Sequence, residues 1–171
     1  MERRDPENAA DELTMLTQYL DFHRATFVRK ASGLTREQMG RRLGPSTLTL
    51  AGLTKHLALN EDSWFQNRLM GRPMRDLWRD VDWDADPDWE FRTALDESPE
   101  DLFALYADCC AASRAAVAEV GDLDALSHEE SRRSGERFSM RWIILHMIEE
   151  TARHNGHADL LRENVDGLTG E

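Results

Sequence analysis

The stretch RWIILHMIEETARHNGHADLLRENVDG, Arg141–Gly167, decides how the chain is read. It opens as apolar as a core helix, yet it places His146, Glu150, His154 and His157 on one side. Taking His146 as zero and turning about 100° per residue, Glu150 falls at about 40°, His154 at about 80° and His157 at about 20°, while Ile143 and Leu161 both fall at about 60°. The ionisable residues therefore share the stripe that the apolar residues aim at the core. A carboxylate on that stripe is costly to bury unless it is partnered, protonated or bound to a cation. Residues four apart on a helix lie about 6 Å apart along the axis and can meet one ion, whereas His146 and His154 are about 12 Å apart and cannot both do so. Three pairs stay open: His146 with Glu150, Glu150 with His154, and His154 with His157. A helix supplies two ligands readily and a third rarely, so the third should come from elsewhere. His56, between Leu53 and Asn60 on the inner side of an earlier helix, is the natural donor. Two imidazoles and a carboxylate suit Zn²⁺, Ni²⁺ or Fe²⁺ with positions left open. Histidines on bundle faces are also commonly hydrogen-bonded core residues or solvated ends, and spacing alone leaves both readings standing. His23 and His128 lack such companions and read as the plain kind, and Arg153 and Arg162 read as solvated flanks.

Three more long helices surround this one. The spacing of Leu13, Leu16, Leu20, His23 and Phe27 predicts a helix over about 9–30, stopped at Gly33. Thr35 and Gln38 form a capping box for a short helical piece. Leu53, His56, Leu57, Asn60 and Trp64 predict a second long helix over roughly 47–70, closed by Gly71. Ser98-Pro99-Glu100-Asp101 is a strong start for a third, which breaks at Gly121. Phe138-Ser139 then opens the fourth, running to about Val165 before Gly167. The segment 71–97, with two prolines, many aspartates and Trp78, Trp83 and Trp89, has no sustained period and reads as a long crossover loop with room for a short helical turn, its aromatics capping the core, with a substrate-covering lid as the alternative. Residues 122–137 read as a polar connection, and no strand alternation is evident. These features predict an all-α, four-helix bundle with a long crossover between helices 2 and 3, as a single domain over 1–171.

Composition narrows the function. The 171 residues carry a formal net charge of -12 and a pI near 4.9, which disfavours phosphate backbones, so no nucleic acid is expected as partner. No charge-free apolar run approaches the roughly 20 residues of a membrane span, and the charged N-terminus lacks a secretory signal's apolar segment; no membrane partner and a cytoplasmic setting are expected. Cys109 and Cys110 are adjacent on a predicted helix, where their side chains diverge, so two reduced, buried thiols are expected. Cys109 lies on an apolar line and reads as core packing rather than a catalytic thiol. No nucleophile elbow, Walker loop or dinucleotide fingerprint occurs.

Taken together, the second-helix stretch LAGLTKHLALNEDSWFQNRLMG and the fourth-helix stretch quoted above resemble the DinB-like superfamily, in particular its actinobacterial branch related to mycothiol-dependent enzymes. The resemblance covers nearly the whole chain. It implies a bundle holding a divalent metal through a histidine on the second helix and two residues four apart on the fourth. Matched residue by residue, the ligands are His56, Glu150 and His154, with Zn²⁺ or Ni²⁺ as the expected ion. Many members of the superfamily have histidine where Glu150 stands, and the mycothiol-dependent maleylpyruvate isomerases are similar to this chain in having glutamate there. The carboxylate makes the site more anionic and lowers the Lewis acidity of the ion. His157, His146 and Asn60 are then candidates for contacts just outside the ligands or to substrate, His146 as an orienter of Glu150. The implied activity is that of a transferase activating a low-molecular-weight thiol such as mycothiol for attack on an electrophile, with a homodimer as the implied assembly. A thiol-dependent isomerase, a metal hydrolase and a non-enzymatic stress-response module are the alternatives. The isomerases usually carry a further C-terminal domain, and this chain ends soon after its fourth helix, which favours the transferase.

Overall fold

The computed structural model describes residues 2–169; Met1, Gly170 and Glu171, at the ends of the expected 1–171 domain, lie outside the described residues. Local chemistry sets each helix boundary. Asp11 accepts the Thr14 backbone N–H at 3.0 Å and starts α1, Glu12–Ala31, which gives way at Ser32 and Gly33, the latter at φ 75. The Thr35/Gln38 capping box is present and opens the four-residue α2, Arg36–Met39. Thr49 caps α3, Leu50–Glu61, which runs on without a break as a π-helical stretch, Asp62–Leu69, up to Gly71 at φ 67. Crossover residues form α4, Asp76–Arg79, and α5, Trp89–Thr93, the latter followed by one 3₁₀ turn, Ala94–Asp96. Ser98 and Pro99 start α6, Pro99–Val120. A small antiparallel hairpin, β1 Leu126–Glu130 and β2 Arg137–Ser139, leads into α7, Met140–Asp166, capped by Ser139 and ended by Gly167 at φ 75.

The chain is thus an all-α four-helix bundle, formed by α1, α3 with its π-helical extension, α6 and α7. Cross-links give the directions. Glu12 meets Arg141 at one end of α1 and Lys30 meets Asp159 at the other, so α1 and α7 run parallel. Ser113 donates to the Glu61 carbonyl and Gln66 to the Ala112 carbonyl, while Lys55 pairs with Glu97 just before α6; α3 and α6 also run parallel, as the long crossover allows. His56 faces Glu150 and His154 while Trp64 faces Trp142 and His146, so α3 and α7 are antiparallel.

Three features differ from the sequence expectation. The polar connection at 122–137 contains the hairpin, whose strands Leu-Ser-His-Glu-Glu and Arg-Phe-Ser are too short and polar to show alternation. The lower half of the second long helix widens to π geometry, for which apolar spacing carries no signal. Arg162 is not solvated: it is held against α1, donating to the carbonyls of Lys30 at 2.9 Å and Ser32 at 2.7 Å, groups a helix end leaves without partners.

Two apolar clusters fill the bundle, one around Phe27, Leu53, Leu57, Trp78 and Tyr106 and one around Leu20, Phe65, Ile143 and Met147. Between them in sequence stand Arg24 and Glu61, both buried, joined by a two-pronged ion pair at 2.7 and 2.5 Å. The crossover is tied to the same level: Asp62, also buried, accepts from the Trp78 indole at 2.8 Å and the Arg75 backbone N–H at 3.0 Å. α5 lies close against α3 because position 52 is glycine; a Cβ there would fall 2.7 Å from Phe91 Cδ1.

Removing one member of a buried pair leaves an uncompensated charge. Arg24→Ala is expected to destabilise by roughly 3–5 kcal/mol in urea unfolding at neutral pH, and the apolar double replacement Arg24→Met/Glu61→Leu by much less. Equal losses in the two variants would refute the ion-pair account.

Candidate metal centre

His56 on α3 and Glu150 and His154 on α7 are brought together: one ligand atom from each lies within 4.8 Å of the others. Glu150 Oε1 stands 3.2 Å from His56 Nε2 and 3.1 Å from His154 Nε2. Tetrahedral bonds of about 2.0–2.1 Å place neighbouring ligand atoms about 3.3 Å apart, so this spacing fits a divalent cation. Glu150 and His154 are buried, while His56 keeps 21% of its side chain exposed, which leaves one side of the cluster open.

Each of the three groups has a second partner that aims it. His56 Nδ1 is 2.9 Å from Glu90 Oε1 on α5, and its ring stacks on Phe91 at 5.0 Å. With Nδ1–H donating to Glu90, the Nε2 lone pair is directed at Glu150, the arrangement that carboxylate partners impose on metal-binding histidines. His154 turns Nε2 to the same point while its Nδ1 lies 3.2 Å from His157 Nδ1. Burial and the neighbouring His154 hold the His157 imidazole below its ordinary pKa, so a neutral ring accepts the His154 Nδ1 proton. Glu150 Oε2 receives Arg153 Nη1 at 3.3 Å, which leaves Oε1 for the cluster. Asn60 Nδ2 lies 2.9 Å from His56 Nε2 and 3.4 Å from Glu150 Oε1.

His146 stands elsewhere. It was expected to orient Glu150, but its ring stacks on Trp142 at 5.1 Å and meets Trp64 at 4.5 Å, with Nδ1 3.8 Å from Glu149. Helical side chains lean toward the N-terminus, so His146 reaches back to Trp142 rather than forward to Glu150. Glu90 was missed, being part of a segment read as a connector; an acid between two aromatics carries no signal for a contact 34 residues away. Cys109 and Cys110 are both buried, and burial pushes the Cys109 thiol up to about 12 and Cys110 well above its ordinary value. Neither is a nucleophile at neutral pH. A cleft of about 430 Å³ bordered by Leu13, Leu20, Arg24, Arg114 and Ile144 includes none of the cluster residues.

The electrostatics belong to a site that wants positive charge. Burial opposes a charged His56, but its hydrogen bonds to Glu150 and Glu90 and their charges outweigh it and raise its pKa to about 9. Hydrogen bonds from His154 and His56 hold Glu150 far below the carboxylate range. A proton on His56 thus takes the place that a cation would occupy, and the two compete.

A family model described as Mycothiol-S-transferase matches residues 15–167, a span that includes every residue of the cluster. No curated protein matches the chain. No helix among the described residues is long and apolar enough to cross a membrane.

In metal-free protein the raised pKa of His56 contributes stability that is complete below pH 6.5 and lost as pH climbs toward about 9. The lowered pKa of Glu150 contributes stability present above pH 4.5 and lost as pH falls below it. Thermal melts in chelator should therefore be highest between pH 4.5 and 6.5, whereas titrated metal affinity should climb from pH 6.5 to about 9. Glu90→Gln is expected to weaken metal binding by about 10–100-fold, measured by competition with a chromophoric chelator, with helix content unchanged.

Proposed function

Because the chain belongs to the mycothiol-S-transferase family of the DinB-like superfamily, we propose that it is a metal-dependent transferase joining a low-molecular-weight thiol of mycothiol type to an electrophile. In this proposal His56, Glu150 and His154 hold one divalent ion, Zn²⁺ or Ni²⁺, in a cytoplasmic setting where small thiols stay reduced. The observation that carries the reading is the convergence of His56 Nε2, His154 Nε2 and Glu150 Oε1 with an open side. It is strengthened by the two cysteines, whose burial leaves the protein without a reactive thiol of its own.

A divalent cation, when bound, supplies the positive charge that favours thiolate over thiol at neutral pH. The chain's own residues prepare that place. Glu90 holds the proton of His56 on Nδ1, His157 holds that of His154 on Nδ1, and both Nε2 atoms stay available. Arg153 fixes one oxygen of Glu150, so the carboxylate offers the other. The glutamate adds a negative charge that a third histidine would not, which would temper the acidity of an ion held there. The thiol proton passes to solvent. The sulfur pair then forms a C–S bond, and the leaving group departs with its bonding electrons.

Elemental analysis of untagged protein should find about one divalent ion per chain, as for a three-ligand open site, with strong loss in Glu150→Ala and His154→Ala. Metal-loaded wild type with thiol and a model electrophile should yield a conjugate by mass spectrometry, and the two variants should not. Double-bond isomerisation or hydrolysis without conjugate would replace the transferase by an isomerase or hydrolase. Metal content unchanged in His56→Ala, with full stability, would refute the site.

A further inference from the structure

Arg68 is an anomaly in an acidic chain. Its Nε is buried with no hydrogen-bond partner, and among the described residues no carboxylate pairs with its guanidinium. The group is not loose, because it lies over the Trp64 ring at 4.5 Å. Nor does any acid form an ion pair with it among the described residues. Arg132, at the hairpin tip, adds a second positive charge, and the charge of Glu129 reaches Arg68 without forming an ion pair. By contrast, Arg72, Arg75 and Arg79, which follow in the same region, each have a carboxylate partner. A half-buried cation held in one orientation costs desolvation that no ion pair in the described chain offsets.

Its position relates it to the metal centre. Trp64 lies four residues beyond Asn60 and Arg68 four beyond Trp64, so roughly 12 Å of helix separates Arg68 from Asn60 at the edge of the cluster. On the facing helix His146 is one turn before Glu150 and touches Trp64 at 4.5 Å; Trp142, one turn earlier still, is 44% exposed. The antiparallel run of α3 and α7 makes a continuous wall: cluster, His146, Trp64, Trp142, Arg68. Its near end fits a thiolate, its middle is aromatic, and its far end is an unpaired guanidinium.

We propose that Arg68, assisted by Arg132, is an anion site for the second substrate, and that this electrophile is an aryl carboxylate lying along Trp64, Trp142 and His146 with its reactive carbon toward His56 and Glu150. The assignment rests on the thiol-transfer reading for the direction in which the ligand lies, while the anion site itself rests on Arg68. A planar acid matches both features: the exposed part of the Trp142 indole takes the ring, and a guanidinium binds a carboxylate through two parallel N–H donors. A thiolate, one ring and a carboxylate placed end to end, with a contact at each end, span roughly those 12 Å, about two turns of helix.

Full-length, metal-loaded protein would be compared with Arg68→Met, which keeps a stem over Trp64, Arg68→Lys, which keeps the charge, and Arg132→Ala. Binding of 3-nitrobenzoate and of neutral nitrobenzene is followed by tryptophan fluorescence. Conjugation of the thiol is followed with 4-chloro-3-nitrobenzoate and its methyl ester, where sulfur displaces chloride. Wild type should bind the acid about tenfold more tightly than the neutral ring and show a correspondingly lower KM for the acid than for the ester. Arg68→Met should abolish both preferences with metal content and helix content retained, Arg68→Lys should restore part of them, and Arg132→Ala should weaken them. Acid preference unchanged in Arg68→Met would overturn the proposal while leaving the transferase standing. Arg68-dependent binding of 3-nitrobenzoate with no conjugate from either electrophile would do the reverse. Displacement of 3-nitrobenzoate by inorganic phosphate at equal concentration would overturn the assignment to an aryl acid.

Discussion

Two imidazole nitrogens and a carboxylate oxygen, each offering an electron pair to one point, cannot rest side by side inside a bundle unless something positive stands among them. In this chain they come from α3 and α7, two antiparallel helices that meet at His56, Glu150 and His154. Each donor is then fixed from behind, by Glu90, by Arg153 and by His157. A proton or a metal ion supplies that positive charge, and the raised pKa of His56 is the metal-free answer. The same concentration of electron pairs is what makes the cluster competent as a ligand set.

The rest of the molecule serves to hold two helices in that register. Arg24 and Glu61 lock α1 to α3 a few residues past His56, and Asp62 anchors the crossover through Trp78 and Arg75. Arg162 seals the end of α1 against α7. Each of these contacts places a charge or a strong dipole in the interior, where loss of a partner costs more than loss of an apolar contact. They therefore tolerate little drift, and a site assembled from separate helices needs that.

Much of this was legible in the residues. The six-member stripe on the fourth helix, the caps at Thr35, Ser98 and Ser139 and the glycine stops are local signals, and the structure places helix boundaries within a few residues of them. His56 was reached because its companions on α3 mark the inner side. What could not be read is non-local or rotameric. Glu90 meets His56 only through the docking of α5, the π stretch follows from packing rather than spacing, and His146 turned to Trp142 by a side-chain preference that a helical wheel omits. Arg162 looked solvated because its acceptors are backbone carbonyls of another helix.

Gly52 lends the cluster a further property. Because a side chain there would strike Phe91, the whole of α5, and with it Glu90, sits flush on α3. Occupancy of an ion at the cluster and docking of this short helix would thereby be thermodynamically linked, and linkage is reciprocal. Loosening the crossover would quicken escape of an ion held there, and a held ion would in turn staple the crossover down, so the segment that covers the bundle would double as a latch on the site.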